Sequence, residues 1–96
     1  IIQIRMESSR LPEKAIAKIN NTPAILLMLK RLEKSKMIDR IILASTESKA
    51  DDKLERLILK KTNIKFFRGS KNNVLSRFIE IGETYKPNII IRLTGD

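Results

Sequence analysis

The sequence predicts a three-layer α/β fold, a Rossmann-like sandwich with a mainly parallel sheet, on three observations. Four short runs rich in β-branched residues, at 1–5, 40–45, 64–67 and 88–93, have the length and composition of strands. Three stretches with helical spacing separate them, so the elements alternate β-α-β-α-β-α-β. The first and last strand runs are apolar almost continuously rather than alternately, as expected of parallel strands covered on both faces.

The first strand run opens on Ile1-Ile2 and ends at Arg5. In the first helical stretch Ile25, Met28, Leu29 and Leu32 fall on one face, with Thr22 as the expected N-cap and Pro23 at the first helical position. The second stretch gathers Leu54, Leu57 and Ile58 on one face. Asp51 and Asp52 stand at its start and Lys60 and Lys61 at its end, each where the helix dipole favours its charge. In the third, Val74, Leu75, Phe78, Ile79 and Tyr85 form the expected buried stripe, and Pro87 forces a stop at Lys86. Gly82 inside that helix costs about 1 kcal/mol relative to Ala. Phe66, Phe67, Phe78 and Tyr85 read as core residues rather than as a base-stacking platform.

Composition narrows the chemistry. The 96 residues are 42% apolar, enough for one small domain, and no run approaches the roughly 20 apolar residues that cross a bilayer. With neither Cys nor His, the chain lacks thiol nucleophiles, imidazole bases and the usual zinc ligands. Catalysis would have to use carboxylates, hydroxyls, Lys, Arg or a hard cation. Twenty Lys and Arg against eleven Asp and Glu leave a net charge of +9, which suits an anionic partner. A bias toward Ile, Lys and Asn, which number sixteen, twelve and six, explains part of that charge. The cations are spread along the chain with few aromatics and no RNA- or DNA-binding motif, so nucleic acid is a weak reading.

In open α/β sheets ligands bind beyond the carboxyl ends of the strands. The loop after the first strand carries Arg5, Ser8, Ser9, Arg10 and Lys14, cations and hydroxyls suited to clamping a polyphosphate. It is not a Walker loop, since the first Gly of the chain is Gly69. A solvated loop of ordinary cations is the competing reading. Asp51 and Asp52 read as helix-start carboxylates rather than an acid-base pair, because nothing in the sequence buries them. Arg68-Gly69-Ser70 reads as a turn leading into the third helix.

The stretch Gln3-Ile4-Arg5-Met6-Glu7-Ser8-Ser9-Arg10-Leu11-Pro12-Glu13-Lys14 resembles the pattern Q-A-R-M-x-S-x-R-L-P-G-K of the cytidylyltransferases of the spore coat polysaccharide biosynthesis type. CMP-Kdo and CMP-sialic acid synthetases are more distant relatives with a similar first loop. The resemblance continues in order through Ala44-Ser45-Thr46, Asp51-Asp52, Phe67-Arg68-Gly69-Ser70 with Val74-Leu75 and Arg77, and Arg92-Leu93-Thr94-Gly95-Asp96.

The resemblance implies a nucleotide-diphosphosugar transferase fold, CTP as donor, a sugar or sugar acid as acceptor, Mg²⁺ and a cytoplasmic setting. It places the β- and γ-phosphates on Arg10 and Lys14, with Arg5, Ser8 and Ser9 close by, and the cation on Asp96. Arg92 either faces the nucleotide or pairs with a carboxylate on the sheet. Family members are commonly more than twice this length, so residues 1–96 are expected to form the N-terminal, nucleotide-binding part of one domain, cut at both ends and inactive alone. A homodimer is compatible with this reading. The chain departs from the pattern at Glu13, where the family carries Gly, and at Asn73 and Ser76, where aspartates are common. Those departures keep a catalytically inactive nucleotide-binding relic as the alternative.

Overall fold

A computed structural model describes residues 1–7 and 13–95. Strand β1 (Ile2–Gln3) leads through the first loop to a 3₁₀ turn at Lys14–Ile16 and a small ribbon of β2 (Lys18–Ile19) and β3 (Thr22–Pro23). Then follow α1 (Ala24–Leu32), β4 (Ile42–Thr46), a second 3₁₀ turn at Lys49–Asp51, α2 (Asp52–Lys61), β5 (Lys65–Gly69), α3 (Val74–Tyr85) and β6 (Leu93–Thr94).

The main sheet has the order β5-β4-β1-β6, and every pairing in it is parallel. Its register sets Ile2 beside Leu43 and Leu93, and Gln3 beside Ala44 and Thr94. The chain steps outward from β1 to β4 and β5, then reverses to lay β6 on the other side of β1. The switch point thus falls between β1 and β6, where the loops leaving the strands diverge and open a crevice.

Alternation along the central strands builds two cores. Ile2, Ile4 and Leu43 face Ile25 and Leu29 of α1 and Leu54 and Ile58 of α2. Ile42 and Ala44 face Ile81 of α3 on the opposite side. The three layers follow, and β4, buried at every position, is the strand between them. Fully burying side chains such as Leu54 and Ile58 stabilises by about 1.5–3 kcal/mol each.

Three local expectations are corrected. Thr22 does not cap α1: its backbone pairs with Ile19 in the ribbon, and the helix begins at Ala24 after an extended Pro23. The two-residue turn of that ribbon is Asn20-Asn21, both with positive φ (50° and 68°), as a type I′ hairpin requires. In α3 the buried residues are Arg77 and Ile81, whereas Leu75 and Ile79 are 67% and 51% exposed. The helix is rotated relative to the apolar stripe because a charged residue takes the inward position. Phe66, Phe67 and Tyr85 pack at the margins of the two cores. Phe78 is only half-buried, beneath Arg92, and Arg40 lies over Tyr85. Finally, pairing within 88–93 is confined to Leu93–Thr94, and Ile89 is 81% exposed. A run of Ile satisfies the composition of a buried strand, but β1 offers β6 only two paired positions.

Gly95 shows how tightly β6 closes on β1. Its N–H donates to Gln3 C=O at 2.9 Å, and a Cβ there would stand 2.8 Å from Cδ1 and Cγ1 of the buried Ile4. Gly95→Ala is therefore expected to lower stability by about 1–3 kcal/mol, read as a drop in the urea midpoint.

Candidate nucleotide-binding cleft

The crevice at the switch point is a cleft of about 300 Å³. β1 and the residues after it supply Gln3, Ile4, Arg5 and Glu7; the 3₁₀ turn supplies Lys14 and Ala15; and β6 supplies Thr94, followed by Gly95. The β5–α3 loop contributes Lys71, and the first turns of α3 contribute Val74 and Arg77. Among the described residues, four cations, Arg5, Lys14, Lys71 and Arg77, thus meet one carboxylate, Glu7, in a space of nucleotide dimensions.

The loop between β1 and the first 3₁₀ turn is closed at its base by Glu13 N–H donating to Met6 C=O at 2.9 Å. Its other anchor is Asp51. This carboxylate is fully buried and accepts from Met6 N–H at 2.6 Å and Thr46 N–H at 3.1 Å, and from the Thr46 hydroxyl. Asp51 therefore ties the end of β1 to the end of β4, a correction to its reading as an exposed helix-start charge. The fold itself buries it and supplies its partners. Asp52 does begin α2, and there it pairs with Arg68.

Arg68 is likewise more than a turn residue. It lies in β5 and donates to Thr46 C=O (2.7 Å), Ser48 C=O (2.5 Å), Asp52 (2.5 Å) and Glu55 (3.3 Å). Burial works against its charge, but the two carboxylates outweigh that effect and hold its pKa above the ordinary value. Arg77, only 1% exposed, donates to Ser70 C=O at 2.9 Å and, at 3.4 and 3.5 Å, toward the carbonyls of Ala44 and Lys71. Burial lowers its pKa. It braces the β5–α3 loop against β4 while presenting charge to the cleft, a role that apolar periodicity could not reveal.

Glu7 is clamped by the Lys71 ammonium and by the Ser48 hydroxyl at 2.8 Å. Those hydrogen bonds, with the positive charges of Lys71 and Arg5, hold its carboxyl below the usual value.

Of the residues singled out in the sequence, Arg5 and Lys14 line the cleft. Arg92 does not. Its guanidinium donates to Gln3 Oε1 at 2.9 Å and lies 5.7 Å from the centre of the Phe78 ring, so its observed partners are an amide and a ring rather than a carboxylate. Ser8, Ser9, Arg10 and Asp96 lie outside the described residues.

Asn73 and Ser76, the departures at the start of α3, form a complete cap. Asn73 Oδ1 accepts from Ser76 N–H at 3.1 Å, and Ser76 Oγ donates to Asn73 C=O at 2.7 Å. Asn serves there as well as Asp. Glu13 sits in the left-handed region (φ 60°, ψ 20°), where the family's Gly carries no steric penalty, and its carboxylate pairs with Lys53 at 3.0 Å. Glu13→Gly should leave stability within about 1 kcal/mol, because relief of the left-handed strain offsets loss of an exposed ion pair. It should also tighten polyphosphate binding severalfold by removing a carboxylate beside Lys14, which calorimetric titration would measure.

Among the described residues, no three His, Cys, Asp or Glu side chains cluster to hold a metal. A Mg²⁺ ion bound with a polyphosphate needs only one or two protein carboxylates. Asp96, the expected cation ligand, follows cleft-lining Gly95 in the chain.

A switch-point cleft rich in cations on this sheet order defines an α/β protein with a site suited to an anionic ligand. The cytidylyltransferase family model matches residues 1–96, and the chain belongs to that family. It is 38% identical to the spore coat polysaccharide biosynthesis protein SpsF of Bacillus subtilis, over 100% of this chain and 41% of that protein. A solved cytidylyltransferase from Leptospira borgpetersenii is 41% identical and superposes with a TM-score of 0.89, over 99% of this chain and 40% of that one. The CMP:2-keto-3-deoxy-manno-octonic acid synthetase, solved with CTP, shares the fold at 22% identity and a TM-score of 0.76, over 99% of this chain and 38% of its own. The chain thus spans about two-fifths of the length of these relatives. Among the described residues, no helix is long and apolar enough to cross a membrane.

Proposed function

We propose that the protein containing this chain transfers the CMP group of CTP to a sugar or sugar acid, releasing pyrophosphate, for surface or spore coat polysaccharide synthesis. The observation that carries this reading is the cationic cleft at the β1/β6 switch point, in a chain that the cytidylyltransferase family covers from end to end. An acceptor oxygen attacks the α-phosphorus and loses its proton; the bond from that phosphorus to pyrophosphate breaks.

Charge on the departing pyrophosphate is what a set of preorganised cations stabilises. Lys14 and Arg5 supply it from the described residues, and the family pattern adds Arg10, Ser8 and Ser9. Arg77 holds the β5–α3 wall in place and adds its own field. Mg²⁺, held by Asp96, would supply further screening of the triphosphate.

The test is thermal unfolding of the intact protein with Mg²⁺ and each nucleoside triphosphate. A ligand at about 100 times its Kd stabilises by about 2.7 kcal/mol, so CTP should raise the transition by several degrees. No shift with any nucleotide would defeat the proposal.

A further inference from the structure

Gln3 and Arg92 lie on the same face of the sheet. Gln3 pairs in register with Thr94, and Arg92 stands two positions before Thr94, so the two side chains are diagonal neighbours on the face that α3 covers. Arg92 rests over Phe78 of α3 and donates Nη2–H to Gln3 Oε1 at 2.9 Å. A guanidinium has no acceptor, so this bond decides which end of the amide faces Arg92: it must be the oxygen. Gln3 lines the cleft and Arg92 does not. The amide nitrogen, with no hydrogen-bond partner among the described residues, is the polar atom left to the cleft.

We propose that Gln3 is a base-discriminating residue and Arg92 the positioning residue that locks its amide with the NH₂ group toward the nucleotide. This deepens the cytidylyltransferase reading and rests on it. At position 3 of its ring cytosine offers a lone pair, whereas uracil carries N–H. A fixed NH₂ donor matches the first and confronts the second with another donor. A group left unpaired in a closed site is what makes such rejection effective. Phe78 beneath the guanidinium keeps Arg92 from turning away.

The experiment is calorimetric titration of the intact protein with CTP and with UTP, for the unaltered chain and four variants whose folding is checked by thermal melting. The unaltered protein should prefer CTP. Gln3→Glu keeps an acceptor for Arg92 but removes the donor, and should lower the CTP-to-UTP affinity ratio by about tenfold or more. The ratio cancels the uniform repulsion between the new carboxylate and either triphosphate. Gln3→Met, neutral and similar in size, should lower it as well and serves if the Glu variant fails to fold. Arg92→Met should lower the ratio because the amide is free to turn, while Arg92→Lys, still purely a donor, should preserve it.

An unchanged ratio in the Gln3 variants, with CTP still bound, overturns this inference alone. A ratio that falls in them but not in Arg92→Met overturns the positioning role. Failure of the unaltered protein to bind CTP overturns both this inference and the parent reading.

Discussion

Replacing Asp51 by Ala should destabilise the protein by about 3–5 kcal/mol, the largest effect expected of any single side chain described above. Three donors, Met6 N–H, Thr46 N–H and the Thr46 hydroxyl, converge on this fully buried carboxylate. Removing it strands all of them away from water. An orphaned buried donor costs about 1–3 kcal/mol, and bonds to a charged acceptor are stronger than neutral ones. Asp51→Asn should cost roughly half as much, since one oxygen still accepts from Met6 while the new NH₂ faces Thr46 N–H. Urea unfolding should show the midpoint falling in the order wild type, Asn, Ala at an unchanged slope. Equal midpoints for all three would mean that Asp51 does not join β1 to β4 energetically. CTP binding should weaken in step, because Met6 begins the loop proposed to hold the triphosphate.

Lys14→Ala should weaken CTP binding by about tenfold to a hundredfold, matching the worth of one charge-assisted hydrogen bond in a partly closed site. The loss should be the same for UTP, because the proposed partner of Lys14 is phosphate and not base. Raising the salt concentration should narrow the gap between wild type and variant. Arg5→Ala should act in the same sense but less strongly, since Arg5 is exposed and its charge is better screened. Titration of both variants with CTP at two ionic strengths checks these effects. A CTP affinity unchanged by Lys14→Ala would remove the triphosphate from this end of the cleft.

Much of the fold was legible because it depends on local pattern. The spacing of Ile25, Met28, Leu29 and Leu32 marks α1, and the β-branched run at 40–45 marks β4. Where local pattern misled, a partner outside the helix had overridden it. Arg77 occupies the inward face of α3 because carbonyls of Ser70, Ala44 and Lys71 satisfy its guanidinium there, and that turned Leu75 and Ile79 outward. Thr22 has the chemistry of an N-cap, but pairing with Ile19 took its backbone. The Asn20-Asn21 turn had a signal that could have been used, since two Asn in succession favour positive φ.

The sequence by itself determined the α/β class, the family, and the loop in which Arg5 and Lys14 stand, since periodicity, composition and a contiguous motif are all local properties. The tertiary structure alone decided that Asp51 is a buried anchor, that Arg68 ties the end of β4 to α2, that Arg77 braces the β5–α3 wall of the cleft, and that Arg92 reaches Gln3 from 89 positions away. The physical reason is the same in each case. A charged side chain takes its role from the donors, acceptors and rings packed around it, and those come from strands that only the sheet brings side by side.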